Sequence, residues 1–435
     1  MTRIFTTDLP AHVGEQVSLA GWLQSLRRMG GITFLVLRDG WGTAQAVIET
    51  EDSLQPLTAA NALPESLIRV TGTVQANAAA PNGCELHHIA IEVCVPISEA
   101  APIPLGKRTI TAGQNTILDH AMIANRHVSR RATLRLSAGI MEGFRASLRE
   151  RDFTEVQTPK IVAAATEGGA NVFALDYFGR TAYLAQSPQF YKQMMVGIFE
   201  RVFEVGPVFR AEPHDTTRHI NEYVSLDVEM GFIEDHHTVM AVLRAVLHGI
   251  MATLQRSYAA DLAVLELALP AVPTEIPSIH FAEAQTLIWR ETGQDVRSEP
   301  DLAPADERWL GAWAQRTFGS DFLFVTGYPM RKRPFYTHPD PARPAFSNSF
   351  DLLFRGVELV TGGQRLHRYG DYLAALEHAG LAIEPFAPYL ETFRYGMPSH
   401  GGFAIGLERL VMQLTGVSSI KLATTFPRDL HRLTP

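Results

Sequence analysis

Between positions 16 and 95 the chain alternates apolar and polar side chains in short runs. Val17–Leu23 alternates loosely, Thr33–Leu37 is a continuous apolar run closed by Asp39-Gly40, and further runs follow at Ala44–Ile48, Leu67–Val74 and His88–Val93. Runs of that length punctuated by Gly-rich turns predict β-strands. Five such strands suit a small closed barrel of the OB type, a fold whose face commonly binds oligonucleotides. Past the Pro/Ala-rich stretch Glu99–Pro104 the period changes. Ile140, Phe144 and Leu148 share one helical face within Arg131–Arg151, and Val239, Val242, Val246 and Ile250 share another within Val239–Leu254. Between these helices lie the β-type runs Arg201–Phe209 and Asp351–Val360. The mixture predicts an α+β domain built on an antiparallel sheet flanked by helices. The organisation expected is therefore a barrel over residues 1–100, a linker or hinge over 101–125, and a second domain over 126–435.

Composition narrows this picture a little. A chain of 435 residues, 46% hydrophobic and 19% charged, has the make-up of a soluble globular protein of more than one domain. No uninterrupted apolar run approaches the ~20 residues that span a bilayer. The N-terminus MTRIFTTDLPAHVG lacks the apolar core of a secretory signal. The expectation is a cytoplasmic protein with no membrane association. Cys84 and Cys94 have no histidine pair at finger spacing and cannot by themselves build a structural zinc site. A net charge of −8 argues against non-specific coating of nucleic acid while leaving room for a local basic surface. His87-His88 and His236-His237 could suggest metal, but adjacent residues on a strand or helix are expected to point apart.

Three segments of the second domain carry chemistry. Phe209-Arg210-Ala211-Glu212 is followed by Thr217-Arg218-His219-Ile220-Asn221-Glu222-Tyr223. Guanidinium groups match phosphate oxygens bidentately and a ring can stack on a base, so this segment suits a nucleotide. A solvated loop of salt bridges would read the same way. Gly401–Gly406 is an apolar, Gly-rich strand running into a helix that carries Arg409 in its first turn, and glycines there would permit close backbone approach to a ligand. The chain has neither a Gly-x-x-x-x-Gly-Lys-Ser/Thr loop nor a Gly-x-Gly-x-x-Gly fingerprint, so arginines must hold any nucleotide. Glu358 and Thr361, in Glu358–Arg365, offer a carboxylate and a hydroxyl of the kind Mg²⁺ prefers.

Taken together and in order, these segments resemble the three motifs of the class II aminoacyl-tRNA synthetases, and most closely the aspartyl-tRNA synthetases of the archaeal/eukaryotic-like type. The resemblance covers essentially the whole chain. It implies an OB-fold anticodon-binding domain followed by a class II catalytic domain, a homodimer, and the substrates ATP, L-aspartate and tRNA(Asp). Pro159, in Phe153–Lys160, resembles the motif 1 proline of the dimer interface. Arg210 is similar to the arginine on the ATP α-phosphate, and Arg409 to the arginine on the γ-phosphate. Glu212 would meet the adenine amino group, Tyr223 would stack on the base, and Arg218 and His219 would lie near the outer phosphates. Glu358 and Thr361 match the Mg²⁺ positions, where Thr361 is commonly serine. Gln189 and Lys192, Arg365 and Asp227 match the residues that hold aspartate. Lys192 and Arg365 would face its side-chain carboxylate and Asp227 its ammonium. Glu167, in Glu167-Gly168-Gly169, resembles the loop that closes over the amino acid. Two cations converging on one anion would favour aspartate, since asparagine would leave buried charge uncompensated.

The same resemblance gives the barrel a purpose. Phe34 would stack on the central anticodon base and Gln45 would hydrogen-bond its edge; Glu85 would meet the first base, and Arg27 and Arg28 would hold phosphates. Without the resemblance, Phe34 would read as barrel core. Aspartate and asparagine anticodons differ only at their third base. The positions that track third-base choice are Gln24, which resembles strict enzymes, and Ala78, which carries neither the lysine of strict enzymes nor the proline of relaxed ones. The split leans towards charging tRNA(Asn) as well; a strict tRNA(Asp) enzyme stays open as the alternative. Pro213 and Arg368 stand where the family commonly has Glu and Asp. An RNA-binding paralogue without charging activity is the rival from another class, and intact Arg210, Glu212, Glu358 and Arg409 oppose it.

Overall fold

Five strands of the first unit, Met1–Val128, close into a barrel in the order β1-β2-β3-β5-β4. They are β1 (Gln16–Met29), β2 (Ile32–Arg38), β3 (Thr43–Ile48), β4 (Leu67–Ala76) and β5 (Cys84–Val95). The computed structural model describes residues 2–163 and 171–434. At 14 residues β1 is longer than its alternation suggested, because it pairs with both β2 and β4. A register shift between Leu23 and Ser25 bends it towards β2. Asp39 closes the β2–β3 turn as expected. Its carboxylate accepts the N–H groups of Trp41 (2.7 Å) and Gly42 (2.9 Å). The helix α1 (Glu51–Ala59) was not foreseen. Thr50 caps it, accepting the Ser53 N–H at 3.3 Å, and it buries Leu54 and Leu57. Leu19, Leu35, Leu37, Ile68, Val70 and Leu86 line the closed interior. Cys84 and Cys94 are both free thiols. Residues 101–125 are not featureless: they carry the short helices Gln114–Asp119 and Ala121–Ala124, and Ile103, Leu105 and Ala124 form a small apolar cluster.

The second unit, Ser129–Pro435, is built on an eight-stranded sheet. Its elements are α2 (Val128–Arg149), β6 (Thr154–Glu155), α3 (Gln189–Phe199), β7 (Arg201–Phe209), β8 (Glu222–Gly231), α4 (His236–Ser257), β9 (Ser278–His280), α5 (Phe281–Thr292), α6 (Pro304–Phe318), β10 (Phe322–Thr326), β11 (Ser349–Phe354), β12 (Val357–Gln364), α7 (Tyr369–His378), β13 (His400–Gly406) and α8 (Leu407–Thr415). The sheet order is β9-β10-β11-β12-β13-β8-β7-β6. The strands from β10 to β7 are antiparallel, while the edge pairs β9·β10 and β7·β6 are parallel, so the sheet is mixed at its margins. The run read as one strand over Asp351–Val360 is a hairpin. Arg355 (φ 50) and Gly356 (φ 74) make its two-residue turn, both with the positive φ that matches strand twist. Arg355 is held there by Asp321 and by the carbonyl of Gln413.

Helices α2 and α4 carry the predicted apolar faces, and Leu136, Ile140, Phe144, Val246, Ile250 and Leu254 pack with the sheet in one core. The two helices cross closely: a Cβ on Gly143 would lie 2.8 Å from Ile250 Cα, and one on Gly249 would lie 2.7 Å from Ser147 Cβ. By length and mean composition α4 could cross a bilayer, although Arg244 and His248 interrupt its apolar run. Val239, Leu243, Val246, Leu247, Ile250 and Leu254 are instead fully buried against protein, which makes it a core helix.

Candidate active site

Strands β7 and β8 open at one end, and there Arg210 and Asn221 clasp each other: Arg210 donates its N–H to the Asn221 carbonyl (2.8 Å) and Asn221 Nδ2 donates back to the Arg210 carbonyl (2.7 Å). This mouth, the first half of β12 and the start of α8 line a cavity of ≈ 250 Å³ holding Arg210, Glu212, Arg218, His219, Tyr223, Glu358, Thr361 and Arg409. All of the residues assigned to the nucleotide by resemblance thus meet in one chamber. The Arg210 guanidinium lies 5.8 Å from the Tyr223 ring centroid. Its ion pair to Glu212 is long, at 3.8 Å, and Glu212 also stands 3.5 Å from His219 Nε2. Burial pushes the His219 imidazole down against the opposing pull of Glu212. Arg409, in the first turn of α8 as predicted, donates to the Glu358 carbonyl (2.8 Å) and stands 3.7 Å from its carboxylate. Its neighbour Glu408 turns inward, accepts the Val224 N–H, and is pushed up to about 7 by burial.

Glu358 and Thr361 point at one place. Strand β12 carries both, and the Thr361 hydroxyl donates to Glu358 Oε1 at 3.0 Å. Behind them is a carboxylate that sequence reasoning missed. Glu307, on α6, accepts the Glu358 N–H (3.3 Å) and lies 3.7 Å from Arg218. Burial first, and then the charge of Glu358, push it up to about 7. No motif marks Glu307; it comes from 51 residues upstream, and only the packing of α6 on β12 brings it in.

A second cavity of ≈ 300 Å³ shares Arg210, Tyr223, Glu358 and Thr361 with the first, and adds Gln189, Lys192, Asp227 and Arg365. Helix α3 supplies Gln189 and Lys192, β8 supplies Asp227, and Arg365 follows β12 directly. By residue type alone, Lys192 and Arg365 are two cations awaiting one anion. The structure overturns that count, because Glu229 stands between them. Two residues after Asp227 on β8, it shares a strand face with that residue. Lys192 Nζ lies 3.0 Å from Asp227 Oδ1 and 3.3 Å from Glu229 Oε2, while Arg365 Nε donates to Glu229 Oε1 at 3.0 Å. Burial pushes the Glu229 carboxyl up, but Arg365 and then Lys192 more than reverse this and hold it below the ordinary range. Two buried cations thus face two buried carboxylates. The alternation Asp227-x-Glu229 was the signal that could have revealed it. Two buried atoms of this cluster have no hydrogen-bond partner: Asp227 Oδ2, an acceptor, and Gln189 Nε2, a donor.

The glycines of β13 also need a different reading. A Cβ on Gly402 would run into the Val228 carbonyl and the Glu229 carboxylate, and one on Gly401 would lie 2.6 Å from the Gly363 carbonyl. These glycines make room for the ion cluster and the neighbouring strand rather than for a ligand. Glu167 and its two glycines fall outside the described residues. Pro159 is exposed, on a segment pinned by Glu204, which accepts from the Thr158 N–H and hydroxyl and from Lys160. Pro213 and Arg368 both lie outside the cavities that hold Arg210 and Lys192. The His236 and His237 rings do not point apart: their centroids are 4.1 Å apart at the start of α4. With Asp235, which caps that helix through the His237 N–H, they form a group close enough together to hold a metal ion.

On the barrel, Phe34 is half-buried and lies outside the packed interior, so it is not core. Phe34 pairs with Val47, two residues from Gln45, and Gln45 pairs with Glu85, which puts all three on the outer face. Across the β1–β2 hairpin it is Arg27 that opposes Phe34; Arg28 opposes Thr33 and takes the other face. Gln24 is half-buried, its Oε1 without a hydrogen-bond partner, and Ala78 is exposed in the β4–β5 connection.

Comparison with known proteins agrees with both halves. Residues 113–430 match the family model of the class II tRNA synthetases (D, K and N), and residues 17–94 match that of the OB-fold nucleic acid binding domain. The chain is 46% identical over 433 residues to an aspartate–tRNA(Asp/Asn) ligase of Thermus thermophilus, covering 100% of both chains. It is also 46% identical over 440 residues to the enzyme of the same name from Deinococcus radiodurans, covering 100% of this chain and 99% of that one. Among solved structures, the asparaginyl-tRNA synthetase of Pyrococcus horikoshii bound to asparaginyl-adenylate superposes with a TM-score of 0.91 at 30% identity, covering 100% of both chains. With an OB-fold domain, a mixed sheet whose arginine-lined chamber opens onto a buried ion cluster, and a family match over most of its length, this chain belongs to the class II tRNA synthetases of the D, K and N family and is an ATP-dependent aminoacyl-tRNA ligase.

Proposed function

We propose that the chain activates L-aspartate with ATP and transfers it to the 3′ end of tRNA(Asp) and also of tRNA(Asn). The observation that carries the amino-acid choice is the four-charge cluster Lys192–Asp227–Glu229–Arg365 with its two unpartnered atoms. A substrate ammonium would take the open Asp227 Oδ2, and so would compete with Lys192 for that carboxylate. Lys192 would then turn its charge to the substrate side chain, where Gln189 Nε2 also lacks an acceptor. Aspartate restores neutrality. Asparagine brings the ammonium but no second carboxylate, leaving surplus buried positive charge at a cost of several kcal/mol.

Arg210, on the wall common to both chambers, would hold the α-phosphate while the aspartate carboxylate attacks it in line and pyrophosphate leaves. Arg409, Arg218 and His219 would steady the outer phosphates, Tyr223 would stack on the base, and Glu212 would accept from the adenine amino group. No side chain forms a covalent bond; position and charge do the work. Mg²⁺ fits the oxygen pair of Glu358 and Thr361, with the mutual repulsion of Glu307 and Glu358 marking a place where a dication is welcome. When bound it would supply charge to the phosphates. The 3′-hydroxyl of the tRNA then attacks the acyl carbon and AMP leaves. Exposed Pro159 and its half-exposed neighbour Ile161 support a homodimer through this segment, and the place of action in this reading is the cytoplasm.

Relaxed third-base reading is favoured by exposed Ala78, which has no donor to impose a choice, and by the names of the two relatives at 46% identity. Pyrophosphate exchange should depend on L-aspartate and not on L-asparagine; equal exchange with both would refute the amino-acid assignment. Transcripts ending their anticodon in C or U should be charged at comparable rates, and a large ratio would make the enzyme strict.

A further inference from the structure

Along the outer face of the barrel, four polar side chains of β3, β5 and the residue after β3 form a continuous ladder. Gln45 Nε2 donates to Glu85 Oε2 at 2.8 Å, His87 Nε2 meets Glu85 Oε1 at 3.0 Å, and His87 Nδ1 meets Glu49 Oε1 at 3.0 Å. The parallel register that pairs Gln45 with Glu85 puts these residues on one face, since Gln45 and Glu49, like Glu85 and His87, are an even number of positions apart. Glu85 is buried and His87 largely so, while Glu49 is exposed.

We propose that His87 is a positioning residue for anticodon reading, holding Glu85 and, through it, the amide of Gln45 in the orientation that meets the central base. This rests on the anticodon role proposed above for Gln45 and Glu85. A carboxylate only accepts, so Gln45 must turn its NH₂ towards Glu85, which fixes the amide and leaves its carbonyl oxygen and second N–H at set places for the base. The central base of aspartate and asparagine anticodons is uracil, whose N3–H donates. Cytosine, stacked in the same place, would set its N3 acceptor against the Gln45 carbonyl oxygen and would need the flipped amide. The ladder therefore selects uracil over cytosine without His87 touching the RNA.

An imidazole between two carboxylate oxygens must donate from both nitrogens, which makes it imidazolium. Burial pulls His87 down, yet its hydrogen bonds to Glu49 and Glu85 outweigh that and raise it above the usual histidine range. The other groups around the ladder are His88, 3.4 Å from Glu49, and the uncharged Asn77, bonded to Glu85, and Thr73, opposite His87 on β4. Above the His87 pKa one nitrogen presents a lone pair to a carboxylate, the ladder loosens, and tRNA affinity falls.

The test uses the full-length enzyme in steady-state charging of transcripts with U or C at the central position, from pH 6 to 9, with pyrophosphate exchange as the control for an intact catalytic domain. His87→Ala should raise KM for the U transcript about tenfold at pH 6.5, lower the preference for U over C, and remove the rise of KM with pH seen in the unsubstituted enzyme. Glu49→Gln, at an exposed position, should keep the low-pH KM but move that rise to lower pH. If His87→Ala and Glu49→Gln behave as the unsubstituted enzyme while Glu85→Gln and Gln45→Ala lose affinity, the positioning role is refuted and the anticodon reading stands. If all four are neutral, the anticodon reading itself fails, and this inference with it.

Discussion

The two chambers of the catalytic domain hold their charges in opposite ways. Around the amino acid, Lys192, Asp227, Glu229 and Arg365 are all buried and joined at 3.0 to 3.4 Å. Around the nucleotide, the side chains of Arg210, Arg218 and Arg409 are 43%, 28% and 34% exposed, and their carboxylate partners stand off at 3.8, 3.7 and 3.7 Å. Buried charge is expensive to leave unpaired, so a closed, balanced cluster registers a single missing carboxylate; that serves choice between aspartate and asparagine. Half-exposed arginines in long ion pairs give up little when they change partners, which serves a triphosphate that must arrive and leave in pieces.

Breaking the buried side of this comparison should cost most. Lys192→Met leaves Asp227 and Glu229 without their shared cation. Urea unfolding should show about 3–5 kcal/mol lost, together with a fall of more than about a hundredfold in aspartate-dependent exchange. Loss of exchange with unchanged stability would mean that the cluster is not a folding element. On the exposed side, Arg210→Lys keeps the charge but not the fork. Exchange should drop about a hundredfold, while Tm moves by less than about 2 °C. A large drop in Tm would erase the distinction between the chambers.

The smallest effect concerns Glu307. Its folded-state value of about 7 lies above its ordinary 4.5, so between these limits the folded chain holds a proton that the unfolded chain has released. Stability is then greatest towards the acid end of that window and declines as pH rises through 7. Glu408, also raised to about 7, adds a decline of the same sign. Glu307→Gln should flatten part of the slope of unfolding free energy between pH 5.5 and 8, measured by denaturant titration, and an unchanged slope would place the titration elsewhere.

Local pattern carried a good deal of this protein. The five barrel strands, the apolar faces of α2 and α4, and the strand-to-helix step that aims Arg409 follow from alternation, helical period and turn residues, which are properties of neighbouring positions. The gaps have equally local causes. Helix α1 is short and interrupted by Pro56, so its period was masked; the Arg355-Gly356 turn interrupts a run that is apolar on both sides. The His237 ring is held beside His236 by Asp235, which accepts the His237 N–H and meets its Nδ1 at 3.1 Å, a contact that the expectation for neighbouring helix residues did not include.

What the sequence determined by itself, then, was the barrel strands, the apolar faces of α2 and α4 and the residue types they present; motif resemblance extended this to the arginines and carboxylates of the nucleotide chamber. The balance of charge was decided only by tertiary structure. Glu229 is an ordinary β8 glutamate until α3 brings Lys192 and the end of β12 brings Arg365 to it, from 37 positions before and 136 after. Glu307 reaches Glu358, and His87 reaches Glu49, by the same kind of long-range approach. A charge's effect depends on the distance and burial of its partners, and neither quantity is written in the spacing of residues along the chain.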